Sequence, residues 1–254
     1  AARRRVAVLT LLLAGMCAAP LASAQIRVGQ TSGFTGPVAA GVKENTDGAR
    51  LVIDAVNARG GVNGQKIELV TMDDAFDPKK AAENARVLIT ERNVVALFLN
   101  RGTPHTEAIR PLLAQYQVPL VAPSTGAMVL HQPVDPWIFN VRATYQREAD
   151  KAVRHLALLG MTRIALVHVD DSFGADGAAG AMTGFAAAKL QPLMVSKFNR
   201  AKPDTAAIMK EAAQKDALVS EQLAAIGVRT VRVPGPLIVR NLQAAADLVS
   251  QAIG

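Results

Sequence analysis

From Ile26 onward, short apolar runs alternate with longer amphipathic stretches, and this alternation restricts the possible fold more than any other feature of the sequence. Residues 26–30, 66–73, 94–99 and 119–122 read as strands. The stretch 46–59 places Ala49, Leu51, Val52, Ala55 and Val56 at helical spacing and stops at Gly60-Gly61. Asp77-Pro78 reads as an N-cap followed by proline at the first helical position, opening a helix to about Arg92. Thr103-Pro104 repeats that signal and predicts a helix toward Gln117, with Pro111 as a possible kink. Strands that alternate with helices across short loops predict a parallel sheet with helices on both faces.

The alternation resumes after an irregular piece at 131–137. Strands are expected at 138–141, 163–169 and 193–198, and helices at 145–159, 175–189 and 205–214. A lobe boundary is placed near 142–146, giving a first lobe at 25–143 and a second at 144–254. Within the second, 216–226 and 237–253 read as helices and 228–233 as a strand, but 210–254 is left unassigned.

The first 24 residues read differently. Arg3-Arg4-Arg5 precedes an apolar stretch from Val6 to Met16, and Ala22-Ser23-Ala24 is a small-x-small cleavage site. This predicts a signal peptide removed after Ala24, and hence export. Cys17 leaves with it, so the remaining chain has no thiol and no disulfide. The leader holds three arginines and no acid, so the net charge falls from +7 to +4 without it. No Lys/Arg run follows Arg5, which argues against nucleic acid as a partner.

Three strand ends in the first lobe are rich in small and hydroxyl residues: Thr31-Ser-Gly-Phe-Thr-Gly-Pro-Val38, Asn100-Arg-Gly-Thr-Pro104 and Pro123-Ser-Thr-Gly126. In open α/β sheets, ligands bind beyond the carboxyl ends of strands. Glycine admits close backbone approach, and Ser and Thr supply hydroxyl donors. A helix opening at Thr103 directs N–H groups and a partial positive charge to the same place, so a carboxylate is the expected guest. Each cluster alone is also compatible with a plain turn or cap; their convergence carries the reading. Ser32, Gly102, Thr103, Ser124, Thr125 and Gly126 are the candidate ligand contacts. In the second lobe, Phe173 lies in His168-Val-Asp-Asp-Ser-Phe-Gly174 and is a candidate for closing over a ligand, or else a loop aromatic covering the core. Asp170 and Asp171 read as caps or turn residues ahead of the following helix, or else as acceptors for an ammonium or hydroxyl of the ligand.

Catalytic constellations are not evident. His105, His131, His155 and His168 lack metal-ligand spacing and read as caps or surface residues. The sequence contains neither a G-x-S-x-G elbow nor a G-x-x-x-x-G-K-[ST] loop. No metal or cofactor is expected, and the chain is not expected to be an enzyme. Gly174, Gly177 and Gly180 recur every three residues, as in a helix packed closely on a neighbour.

Gly33-Phe-Thr-Gly-Pro37, Asn57-Ala-Arg-Gly-Gly-Val-Asn-Gly64, Pro119-Leu-Val-Ala-Pro-Ser-Thr-Gly126 and Asp171-Ser-Phe-Gly174 together carry a resemblance. From about Ile26 to about Ile208 the chain resembles the type I periplasmic solute-binding proteins of the leucine/isoleucine/valine-binding class, which serve ABC importers. The resemblance implies two Rossmann-like lobes with parallel sheets, joined by three crossovers and closing on ligand, with the C-terminal part incomplete in this chain. It implies that the loops at Gly102-Thr103 and Ser124-Thr125-Gly126 bind a ligand carboxylate through backbone N–H and hydroxyl groups, with Phe173 closing from the second lobe. It further implies a periplasmic protein that hands an amino acid or related carboxylate to an inner-membrane ABC permease. A ligand-binding sensor module, a secreted hydrolase and a truncated homologue that binds nothing remain open alternatives at this level.

Overall fold

A computed structural model describes residues 25–225, with side chains as far as Leu218. The leader, the strand expected at 228–233 and the helix expected at 237–253 lie outside the described residues. The chain divides into two compact units between Arg142 and Ala143.

The first unit is a parallel sheet. Its strands are β1 (Ile26–Ser32), β2 (Ile67–Asp73), β3 (Ala96–Phe98), β4 (Leu120–Val121) and β5 (Ile138–Phe139), in the order β2-β1-β3-β4-β5. The helices are α1 (Ala39–Ala58), α2 (Pro78–Thr90) and α3 (Thr103–Tyr116). Alternation along β1 assigns the helices to faces. Thr31 donates to Asp74 and accepts from Asn84 of α2, while Gln30 bonds Thr46 of α1 on the opposite face. The main core lies on the α2–α3 face, where Leu88, Leu97, Ile109, Leu113 and Leu120 are buried. Strand order reverses between β1 and β3, which makes their adjacent ends the topological switch point.

Asn57-Ala-Arg-Gly-Gly-Val-Asn-Gly64, the most specific part of the resemblance, is structural. The Asn57 side chain donates to Ile67 O and accepts from Ile67 N, both at 2.8 Å, fastening the end of α1 to the start of β2. α1 begins seven residues before the stretch 46–59 read from sequence. Its first turns face polar Gln30 and Arg101, so they carry little apolar signal.

The second unit pairs β6 (Leu166–Val169) with β7 (Val195–Phe198) in parallel. α4 (Tyr145–Leu158) and α5 (Ser172–Ala187) pack together around Val153, Ala181 and Phe185. α6 runs unbroken as Thr205–Ala225, where the sequence reading separated two helices near Gln214. The junction holds no Gly or Pro, and the Lys215–Glu211 pair at 3.0 Å spans it.

Candidate functional site

At the switch point, β1 ends on Ser32, which is fully buried and whose Oγ has no hydrogen-bond partner among the described residues. The following loop is held to the neighbouring strand end. Thr35 donates through its N–H to Asp73 Oδ1 at 3.1 Å and through its hydroxyl to Asp73 Oδ2 at 2.6 Å. Desolvation pushes the Asp73 carboxyl up, but the bonds from the Thr35 hydroxyl and the Ala75 and Thr35 N–H groups outweigh it, leaving the group below the usual carboxylate range.

The loop between β3 and α3 is built around Asn100. Its Nδ2 donates to Thr106 Oγ1 at 2.8 Å, and Thr106 Oγ1 donates to Gly102 O at 2.9 Å. Its own carbonyl accepts the Ser124 N–H at 2.7 Å, stitching this loop to the one after β4. Gly102 then turns the chain at φ 105°, a conformation that disfavours any side chain.

The helix start differs from the sequence reading. Gly102, not Thr103, is the N-cap of α3, and no side chain caps this end. Thr103 is the first helical residue, and its hydroxyl is free to reach sideways. Thr103 Oγ1 lies 2.7 Å from Thr125 Oγ1, and both residues are buried. In such a pair one hydroxyl donates to the other, and the acceptor keeps its own hydrogen to offer elsewhere. Thus Gly102, Thr103, Ser124, Thr125 and Gly126 converge at adjoining strand ends, with Ser32 at the end of neighbouring β1. An uncapped helix start, hydroxyl groups and small residues together suit an anionic oxygen.

Three features of this region are not among the residues singled out from sequence. Arg101 packs along Gly41 near the start of α1, and among the described residues its guanidinium has no ion pair. Asn100 organises two loops at once. His105, read from sequence as a cap or surface residue, is buried and stacks on Phe76 with ring centroids 4.3 Å apart. Asn100 and Arg101 stand inside a strand-end motif recognised in the sequence. The signal for them was their place between the end of an apolar run and a helix start, whereas nothing local marks His105 as buried.

Asp74 is wholly buried behind β1. Desolvation raises its carboxyl to about 6, against hydrogen bonds from the Phe76 N–H at 2.9 Å and the Thr31 hydroxyl at 3.0 Å. A carboxyl raised in the folded state contributes stability fully below its unfolded value of 3.8, and that contribution is lost as pH rises through about 6. Asp74→Asn removes this dependence. In urea unfolding at pH 4 and pH 7, the variant should gain on the wild type by up to about 3 kcal/mol between the two pH values.

Phe173 belongs to the second unit, in the first turn of α5. It is 39% exposed, meets Tyr145 edge-on at 5.0 Å and lies 5.6 Å beneath the Arg200 guanidinium. Asp171 caps α5 by accepting the Gly174 N–H at 3.0 Å, and its other oxygen accepts from Arg200 at 2.7 and 3.0 Å. The cap expected of Asp171 is therefore present. No group of His, Cys, Asp and Glu side chains suited to a metal occurs among the described residues, and none of their helices is long and apolar enough to cross a membrane.

Comparison with known proteins adds a family. A family model described as periplasmic binding protein matches residues 25–231, beyond Ile208, where the resemblance read from sequence stopped. Over 87 residues the chain is 45% identical to "Leu/Ile/Val-binding protein homolog 7" of Brucella suis biovar 1, covering 34% of this chain and 21% of that protein. A solved substrate-binding periplasmic protein from Ralstonia solanacearum superposes with a TM-score of 0.66 at 33% identity, covering 70% of this chain and 50% of the other. An R. palustris solute-binding protein of an ABC transporter, solved with 4-hydroxybenzoate, gives a TM-score of 0.67 at 23% identity, a likeness of fold that covers 76% of this chain and 52% of that one. This chain thus spans about half the length of the solved structures it matches, and its match to the curated relative about a fifth.

Proposed function

The chain belongs to the periplasmic binding protein family, and we propose that it binds a small carboxylate-bearing solute for delivery to an inner-membrane ABC permease. The supporting observation is the convergence at the first unit's strand ends: the Thr103–Thr125 hydroxyl pair meets the side-chain-free cap of a 14-residue helix. The solute carboxylate accepts from the hydroxyl of this pair that keeps its hydrogen and from the first-turn N–H of Thr103. Arg101, with no ion pair among the described residues, supplies the compensating positive charge. On this reading Gly126 and Ser124 border the carboxylate, and Ser32 contacts the rest of the solute. Removal of the leader after Ala24 leaves the protein in the periplasm.

A branched-chain amino acid and an aromatic acid share the carboxylate and differ beyond it. The relatives' names point to the first, and the 4-hydroxybenzoate bound to a structural neighbour points to the second. Calorimetric titration of the chain with L-leucine and 4-hydroxybenzoate, each beside its amide, tests the reading. One acid should bind saturably without being converted, and its amide at least about tenfold more weakly, because a charge-assisted hydrogen bond contributes about 1.5–3 kcal/mol. Arg101→Ala should weaken the acid and leave the amide unchanged. Equal binding of acid and amide contradicts the assignment.

A further inference from the structure

The loop after β2 adopts a costly conformation. Ala75 and Phe76 are consecutive left-handed residues, at φ 50° and 59°, and neither is glycine. Such geometry is unfavourable for a residue with a side chain and persists only where its surroundings hold it. Two carboxylates do so: Asp73 Oδ1 accepts the Ala75 N–H and Asp74 Oδ1 accepts the Phe76 N–H, both at 2.9 Å.

The result is to place the Phe76 ring on His105. The two rings lie 4.3 Å apart and 25° from parallel, and His105 is only 3% exposed. Each end of the stack meets a glycine that belongs to a strand-end loop. A Cβ on Gly33, after β1, would stand 3.1 Å from Phe76 Cβ. A Cβ on Gly102, at the helix cap, would overlap Nδ1 of His105 and stand 3.1 Å from its Cγ. The stack therefore links the loops after β1, β2 and β3, and the His105 ring forms the support against which Gly102 turns.

We propose that His105, braced by Phe76, is the positioning residue for the Gly102–Thr103 limb of the site. The functional meaning of this role rests on the carboxylate reading above; the role itself does not need a ligand. The ring occupies the space under Gly102, which sets the cap at φ 105° and the direction of the first-turn N–H groups. Without the ring, Gly102 has no support on that side and the first turn of α3 opens.

Hydrogen exchange of the full chain without ligand tests this. The Thr106 amide donates to Gly102 O at 3.0 Å and reports opening of that turn. In His105→Ala its exchange should rise at least tenfold, with the Leu97 and Leu120 amides of the sheet unchanged. His105→Phe, which keeps a ring on Phe76, should restore protection. Phe76→Leu, which keeps apolar volume but removes the stack, should reproduce the local loss and serves if the alanine variant does not fold. A uniform rise at Thr106, Leu97 and Leu120 would reduce His105 to ordinary core packing and overturn the proposal, as would a Thr106 amide that does not respond to either change. Local loss at Thr106 in a chain that binds neither acid would leave the positioning role intact and count against the ligand reading alone.

Discussion

Valine in place of Gly180 should prevent the second unit from folding. α4 and α5 approach so closely that a Cβ at Gly180 would overlap the Gln146 backbone, standing 2.7 Å from its carbonyl carbon. One turn on, a Cβ at Gly184 would lie 2.7 Å from Asp150 O. Backbone cannot step aside as a flexible side chain can, so the helices must separate. Separation opens a core whose buried members are Val153, Ala181 and Phe185. Overpacking commonly costs about 1–3 kcal/mol, and at a backbone-on-backbone contact the upper end or more is expected. A small unit of this kind has little stability to lose. Gly177 is the control, because a Cβ there meets nothing within 4 Å. Gly177→Ala should be neutral or stabilising by up to about 1 kcal/mol through helix propensity. Exchange of the Leu190 amide, which donates to Phe185 O, reports the unit directly. Its protection should vanish in Gly180→Val and persist in Gly177→Ala.

Gly102→Val should abolish acid binding while leaving most of the first unit folded. Two effects coincide at this residue. At φ 105° a β-branched side chain is strained, at a cost of about 1–3 kcal/mol. Its Cβ would also fall on the His105 ring. Relief requires the cap to rotate or the ring to leave its place on Phe76, and either misdirects the Thr103 N–H and the Thr103–Thr125 hydroxyl pair. Loss of those contacts should lower affinity for the acid by more than about 100-fold, since two charge-assisted bonds contribute about 1.5–3 kcal/mol each. Titration calorimetry gives the affinity, and circular dichroism shows whether the helices survive. Retained binding in a folded Gly102→Val protein would remove this limb from the site.

The parts of the fold legible in the sequence are those with a local cause. Asp77-Pro78 capped α2 as read, because side-chain acceptance from the Lys79 and Lys80 N–H groups is a property of adjacent residues. β2 and α4 were bounded to within a residue by their apolar spacing and, for α4, by Gly160. Elements set by distant contacts were less legible. β4 and β5 are two-residue strands whose ends depend on register with β3, and both were read too long. At the site, the clustering of hydroxyl residues was visible, but the identity of the cap was not. Thr103 has the side chain of a cap, yet Thr125 engages that hydroxyl from 22 residues away. The burial of His105 depends on Phe76 in another loop, and whether Arg101 has an ion-pair partner depends on residues distant in sequence. Neither can be read from neighbours in the chain.

The strand ends of the first unit are proposed to hold a solute carboxylate. The most direct test is to follow backbone amide shifts while the acid that binds is titrated into the isotopically labelled full chain. The Thr103, Thr125 and Gly126 amides should move along a saturating curve with the calorimetric affinity, and the amide analogue should move them much less. Saturable binding that leaves these amides in place and shifts residues elsewhere would contradict it.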